Sequence, residues 1–520
     1  MPANILLREM QRVSEAPGSI SAFRRLALEL GLSGQLTRHT ASEPSEYRSL
    51  GQVAELIMGQ APPGSDCNLR GEGVVFVKVG EFGPLYPQEV VWTTRPRRMA
   101  RKGDVLICVV GATVGKLNLG IDCAIGRSVA ALRPSPSIDT KFLYMSLMPY
   151  TLGLRTGARG SAQGVIGRSD LSSISIWCPS LAEQGDIVVQ IEGLWSLCDE
   201  LGAAQHVRDN MRDAAAAAAL GSLTSTSNAA PFDSNAFTTR AHFYINNTPK
   251  FITRPEHVAE IRKTVLNLAV RGRLVPQDPL DEPSAHLLLR LRDQQRRPTS
   301  TNGSETPRPF TIPGSWAWCR FPEVGTFGRG TSKHRPRNDS SLFRDGSYPF
   351  IQTGDVARSG GTIRTFTSLY NEAGLAQSAE WPIGTLCITI AANIACSGIL
   401  SFKACFPDSV VGLVVAEELG DARYFEYFVR TARDDLSQYA PSTAQKNINL
   451  AILNEVAIPL PPLAEMRRIV SKVDALMTVC DELEDSLLTA QSEGSRFLQA
   501  TLFECLANFG FGNAPPALSA

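Results

Sequence analysis

The passage "PSLAEQGDIVVQIEGLWSLCDEL" at 179–201 returns 282 residues later as "PPLAEMRRIVSKVDALMTVCDEL" at 461–483, with 11 of 23 positions identical. Whatever the first half of the chain builds, the second half builds again. The echo continues upstream, more faintly. "GVVFVKVGEF" (73–82) aligns with "SYPFIQTGDV" (347–356), sharing Phe76/Phe350 and Gly80/Gly354. "KGDVLICVVGATVG" (102–115) aligns with "IGTLCITIAANIAC" (383–396), and "GSAQGVI" (160–166) with "STAQKNI" (442–448). Apolar, β-branched runs opened by a turn glycine predict buried strands. A period this long lies far above that of stacked solenoid repeats, so the pattern is domain duplication. Each unit reads as a mixed α/β domain of short strands followed by a long helix.

The helices are the plainest feature. Ile469, Val473, Leu476, Cys480, Leu483, Leu487 and Ala490 are spaced alternately four and three apart, and Ile187, Ile191, Leu194, Cys198 and Leu201 repeat that spacing. A 3.5-residue apolar period is a coiled-coil seam, which demands a partner helix. Proline and glutamate in "PSLAE" and "PPLAE" suit a helix start. The two seams are expected to pair antiparallel. Shorter helices at 23–36 ("FRRLALELGLSGQL") and 261–274 ("IRKTVLNLAVRGRL") form a second echo, with Gly34 and Gly272 as stop signals and Glu43-Pro44 or Glu282-Pro283 beyond. The polar stretches 221–255 and 292–312 read as loops or linkers. The "AAAAAAL" run at 214–220 is low in complexity and expected to fray, and Gly185-Asp186 against Arg467-Arg468 gives the two helix starts different charge.

The expected fold is therefore α+β: two duplicated mixed α/β domains separated by long antiparallel coiled-coil helices, with pseudo-twofold symmetry. The divisions are an N-terminal helical segment 1–45, a first domain 46–178, a central helical region 179–275, a helix and linker 276–314, a second domain 315–459, and a C-terminal helix and tail 460–520. A helix from 181 to about 220 would be about 60 Å long at about 1.5 Å per residue.

At 520 residues, two or more domains are expected. The 43% hydrophobic and 20% charged residues are those of a globular protein. No apolar run approaches a membrane span, and the N-terminus carries charges where a secretory leader has its apolar core. Eleven cysteines without a Cys-x-x-Cys pair indicate neither a zinc site nor a disulfide framework, so a cytoplasmic setting is expected. Net charge is zero, which argues against a strong stand-alone binder of nucleic acid. The average hides a distribution: residues 46–178 hold 15 Lys/Arg against 10 Asp/Glu, and "RPRRMARK" (95–102) and "RGTSKHRPR" (329–337) are basic clusters.

Motifs of catalysis are missing. "GATVGKL" (111–117) has three residues between its glycines where a phosphate loop needs four, and Leu117 stands where Ser or Thr is required. "GTFGRG" (325–330) loosely resembles a glycine-rich cofactor turn but reads as a loop turn. The six histidines never fall at ligand spacing, no Gly-x-Ser-x-Gly elbow occurs, and neither does the Asn/Asp-Pro-Pro-Tyr/Phe of amino-group DNA methyltransferases. The weight moves to a binding protein.

The duplicated order resembles the specificity subunit of type I restriction–modification systems, over essentially the whole chain. The marks are "IPLPPLAEMRRIV" (458–470), its copy "IWCPSLAEQGDIV" (176–188), "LNLAVRGRLVPQDPLDEPSAHLLLRL" (266–291), "GQAPPG" (59–64) with "FVKVGEF", and "FIQTGDV". The resemblance implies that each globular unit is a target-recognition domain reading one half of a bipartite DNA sequence. It implies helices that set the gap and dock two modification subunits, which carry S-adenosylmethionine and methylate adenine. Restriction subunits can join, and the chain itself would hold no cofactor or metal. Two rivals stand beside it: a methyltransferase or nuclease with an unrecognised motif, and a scaffold or regulator without restriction partners.

Side chains able to pair with base edges, or with phosphates by charge, supply the DNA-binding candidates. In the first copy these are Lys78, Arg97, Arg98, Arg101, Lys116, Arg159, Gln163 and Arg168. In the second they are Lys333, Arg335, Arg337, Gln352, Thr353, Arg358, Gln445, Lys446 and Asn447.

Overall fold

The computed structural model describes residues 10–37, 46–151, 165–224, 239–240, 243, 252–294, 310–334, 336, 338–438 and 448–508. It divides into two compact units, Met1–Arg208 with Ala490–Ala520, and Asp209–Thr489. Both divisions fall inside the long helices Leu181–Thr224 and Leu463–Asn508.

The duplication holds strand by strand. In the first copy a four-stranded antiparallel sheet runs in the order Ala54–Met58, Val129–Pro134, Val105–Cys108, Leu117–Leu119. In the second the order is Gly325–Arg329, Val410–Val415, Leu386–Thr389, Ser397–Leu400, with Gly361–Ile363 added in parallel at the edge. The runs aligned from sequence, 102–115 and 383–396, occupy the same third place. All four residues of Val105–Cys108 and of Leu386–Thr389 are buried, which explains why these runs show no polar alternation.

A smaller sheet repeats as well. Cys67–Asn68, Trp92–Thr93, Val74–Val77, Cys123–Ile125 and Met99–Ala100 line up in that order. In the second copy the order is Ser368–Tyr370, Tyr348–Phe350, Ala404–Cys405, Glu380–Trp381. One pair in each is parallel: Phe76 opposite Ala124, and Phe350 opposite Cys405. Finally Glu46–Ser49 pairs with Ser175–Cys178, as Ala317–Cys319 pairs with Ile458–Leu460, closing each domain just before its long helix.

The helix stops behave as expected. Gly34 and Gly272 have φ of 74° and 67°, a left-handed turn that glycine adopts without a Cβ clash. Beyond each, an amide reaches back to the helix: Gln35 N–H donates to the Leu30 carbonyl at 3.0 Å and Arg273 N–H to that of Leu268 at 2.9 Å.

The seams divide in a way the spacing does not reveal. Ile187 and Ile191, like Ile469 and Val473, are buried in the core of their own globular domain. There they also meet the shorter helices: a Cβ on Gly31 of Ser19–Leu32 would lie 2.5 Å from Ile191 Cδ1, and Leu266 and Ala269 of Pro255–Val270 share the core of Ile469 and Val473. The later positions leave that core for separate clusters. In the first unit Cys198 and Leu201 pack with Leu498, Leu502, and Phe23 of Ser19–Leu32. In the second, Cys480 and Leu483 pack with Leu220, Leu223, and Val258 of Pro255–Val270. Leu220 is the repeat equivalent of Leu502, so the long-helix partners are exchanged between the copies. Ala490, the last seam position, is exposed.

The alanine run does not fray: 214–220 lies within the helix, with Ala216 and Leu220 buried. Alanine is the strongest helix former, and these two side chains are packed. Arg468 forks onto Asp281 at 3.2 and 2.6 Å, so the charge difference at the helix start serves an internal contact in one copy. The expected linkers 221–255 and 292–312 lie mostly outside the described residues.

Candidate nucleic-acid interface

Parallel strands leave a sheet from the same end, so the residues that follow them become neighbours. After Val74–Val77 comes Lys78, and after Cys123–Ile125 come Gly126 and Arg127. Gly126 N–H donates to the Val77 carbonyl at 2.9 Å, holding the two exits together. Two further segments reach this end. Ile125 N–H donates to the Arg98 carbonyl at 2.9 Å, and Gln60 N–H to that of Ile125, also at 2.9 Å. Lys78, Arg97, Arg98, Arg127 and Gln60 are all exposed. The guanidinium groups of Arg97, Arg98 and Arg127 have no ion pair or hydrogen bond among the described residues. Lys78 places Nζ 5.8 Å from the Phe76 ring centroid and 3.7 Å from Glu81 Oε1. Cations left unneutralised on one edge are what a polyanion meets first.

The second copy repeats the frame with other side chains. Ile351 N–H donates to the Cys405 carbonyl at 2.8 Å, and Gln352 and Thr353 follow. Gln352 caps the helix Thr353–Arg358, its N–H donating to Asp355 Oδ2 at 2.9 Å, while its amide Nε2 donates to Ser368 Oγ at 3.1 Å. Arg358 is tied to buried Asp355 at 2.8 Å. Lys333 is exposed on the adjoining loop, next to His334, whose Nε2 lies 2.9 Å from Asp339 Oδ2. The Ser341 backbone N–H, with help from the Ser341 side chain and His334, holds the Asp339 carboxyl down to about 2.

Other candidates lie elsewhere. Arg101 is exposed beyond the opposite end of Met99–Ala100, where its N–H donates to Asp104. Lys116 is half-buried, its ammonium donating to the Phe82 carbonyl at 2.7 Å, where it braces the turn after Lys78. Arg168 is exposed at the start of the short helix Arg168–Ser172. Arg159, Gln163, Arg335, Arg337, Gln445, Lys446 and Asn447 lie outside the described residues. The two loops that carry "SAQG" and "TAQK" end alike: Ile166 N–H donates to the Val109 carbonyl at 2.9 Å, and Ile448 N–H to that of Ile390 at 3.0 Å.

Arg127 and Gln60 were not among the sequence candidates. Arg127 stands alone in "AIGRSV", away from any basic cluster; the one available signal is its place just after an apolar strand and a turn glycine.

Each long helix also presents an apolar residue to solvent. Leu197 and its repeat equivalent Val479 are 60% and 56% exposed, although the seams beside them are buried. Among the described residues no helix is long and apolar enough to cross a membrane, and no group of three or more His, Cys, Asp or Glu could hold a metal ion.

A duplicated mixed domain, each copy closed by a two-strand ribbon and followed by a long helix, defines the class. The chain belongs to the type I restriction modification DNA specificity domain family, whose model matches residues 42–203 and 314–490. Among its relatives are the Escherichia coli type I restriction enzyme EcoAI specificity subunit, 25% identical over 342 residues, and the EcoEI specificity subunit, 23% identical over 370 residues. These matches cover 60% and 65% of this chain but 55% and 59% of the relatives. The chain thus spans less than two thirds of their length. A putative type I restriction enzyme specificity subunit of Methanocaldococcus jannaschii is 33% identical over 148 residues, covering 28% of this chain and 35% of that one. A solved chain from a study of complex assembly and conformational transition of the type I R-M system shares the fold, with a TM-score of 0.53 at 17% identity, over 90% of this chain and 99% of that one.

Proposed function

We propose that the chain is the DNA sequence-recognition subunit of a type I restriction–modification complex. Each globular domain reads one half of a bipartite duplex target. The helices fix the distance between the halves and dock two modification subunits, and restriction subunits join that assembly. In this reading the chain is non-catalytic and cytoplasmic. S-adenosylmethionine is held by the modification subunits, which supply the methyl transfer, while this chain's residues choose where it occurs.

One observation supports this most directly: two domains share one strand order and one set of exit turns, yet present different side chains on those turns. Duplicated catalytic domains keep their reactive groups alike. Duplicated readers of unlike half-sites keep the scaffold and change the surface.

Long-read methylation sequencing of a host carrying this chain and a modification subunit tests the proposal. The expected result is a bipartite motif with methylated adenine in both halves that vanishes when this chain is deleted. Methylation by this chain alone would make it an enzyme. A stable complex with an active modification subunit but no methylated motif would favour a scaffold.

A further inference from the structure

Three chain segments meet on one residue at the parallel-strand end of the first domain. Ile125 N–H donates to the Arg98 carbonyl at 2.9 Å, the Ile125 carbonyl accepts Gln60 N–H at 2.9 Å, and Gly126 and Arg127 follow in the chain. The backbones of Arg98, Gln60 and Arg127 are thereby gathered at one place, and all three residues are exposed. The two guanidinium groups have no ion pair or hydrogen bond among the described residues, and neither has the Gln60 side-chain amide.

Gln60 is pinned to the turn that carries Arg127. Gly59 N–H donates to the Val129 carbonyl at 3.0 Å, so two successive amides are bonded, one on each side of that turn. A Cβ on Gly59 would lie 2.1 Å from the Gly126 carbonyl oxygen and 2.5 Å from that of Val129, so the contact is close enough to need glycine. The second copy repeats the pin and changes the side chain. Gly330 N–H donates to the Val410 carbonyl at 2.9 Å, and a Cβ there would lie 2.2 Å from the Phe406 carbonyl oxygen, but the next residue is Thr331, half-buried.

We infer that Gln60 reads adenine in one half-site while Arg98 and Arg127 hold the phosphates beside it. The inference rests on the proposed DNA-recognition role. The chemistry of the three side chains divides the work. A guanidinium offers donors only and a phosphate acceptors only, so the two match in charge and in hydrogen bonding. A side-chain amide offers a donor and an acceptor together. At a phosphate its oxygen would meet another acceptor, whereas adenine N6 and N7 satisfy both of its ends. A reading side chain must also keep its place against the duplex, and the pinned backbone at Gly59 supplies that. Thr331 has no amide and cannot make this pair, so the second domain reads its own half-site differently from the equivalent place.

The test is selection of duplexes from a randomised library by the full chain assembled with a modification subunit, wild type and variants, with salt titration of the selected duplexes. Wild type should enrich a bipartite motif. Q60A should lose about 5- to 150-fold of the preference for adenine at one position of one half, with the other half-motif and the salt slope unchanged. Q60E should bring cytosine to that position, since cytosine N4 donates to a carboxylate. R98A and R127A should select the wild-type motif, weaken all duplexes evenly and each lower the salt slope by about one, the mark of a phosphate contact. The inference is overturned if Q60A selects the wild-type motif, or if R98A and R127A change the selected base and keep the wild-type slope. Wild type that enriches no sequence would instead overturn the recognition role itself. Gln60, Arg98 and Arg127 are exposed, so circular dichroism of the variants should match wild type.

Discussion

Gly59 and Gly330 show how far a single atom controls the parallel-strand end. Alanine at Gly59 would place Cβ 2.1 Å from the Gly126 carbonyl oxygen and 2.5 Å from that of Val129; at Gly330 the distances are 2.2 Å to Phe406 and 2.6 Å to Pro407. Backbone carbonyls held by the hydrogen bonds of the strand exits cannot yield as a flexible side chain can. G59A and G330A should each cost about 1–3 kcal/mol in chemical denaturation, with similar losses in both copies. Glu465, of the repeated Leu-Ala-Glu, is a different case. It is buried, accepting the Trp316 indole N–H at 3.0 Å and the Gln277 amide at 2.6 Å. Burial pushes its carboxyl up, against those two donors, which favour the charged form. A carboxyl raised in the folded state binds more protons there than in the unfolded chain, so its contribution is fullest below the unfolded value and fades as pH rises through the folded one. Urea unfolding should therefore show E465Q losing less stability than wild type between its unfolded carboxyl range and neutrality; parallel curves would show that Glu465 does not titrate there. The equivalent Glu183 is only partly buried and accepts the Thr37 hydroxyl at 3.2 Å, so one motif makes two different contacts.

Between elements, the duplication extends to ion pairs. Lys141 reaches Glu192 at 2.7 Å, and Arg423 reaches Asp474; these are equivalent positions, each joining a domain to its own long helix. Arg24 pairs with Asp199, and its equivalent Arg262 with Asp481 at 2.5 Å and Glu484 at 2.6 Å, joining each shorter helix to a long one. Arg24 is the more exposed of the two arginines and has one acidic partner; Arg262 has two. R262M should cost about 1 kcal/mol, R24M about half that, and both losses should shrink in high salt. A salt-independent loss would point to the packing of the arginine stem instead. Little of this was legible in the sequence. Strands were, because buried runs such as Val105–Cys108 and Leu386–Thr389 keep their apolar pattern even where identity fails. The seam was legible as a period, yet nothing in that period told that Ile187 and Ile469 would join the core of a sheet domain while Cys198 and Cys480 would pack in separate clusters built from helices. Ion pairs were not, since their members are far apart in the chain and each reads alone as a solvated charge. Arg127 escaped for a related reason: its setting comes from a parallel strand pair, and register between distant strands is a property of the fold.

For the whole molecule, the proposed function requires two equivalent docking faces, one per modification subunit. Leu197 and Val479 meet that requirement. They occupy the same repeat position and are exposed to similar extents on helices whose seams are buried. One exposed leucine is ordinary on a protein surface; an apolar residue exposed at the same position of both copies calls for a shared cause. A common partner is such a cause, because the helices must stay alike wherever they touch the same subunit while the reading edges diverge. L197E or V479E would place an uncompensated charge in a desolvated contact and should release one modification subunit each, so that native mass spectrometry shows complexes with one copy in place of two. The double variant should bind none, while the chain itself keeps its helical circular dichroism, since neither side chain packs in a core. Loss of both subunits from either single variant would mean that docking is cooperative across the two faces. Two bound subunits in the double variant would remove these residues from the interface.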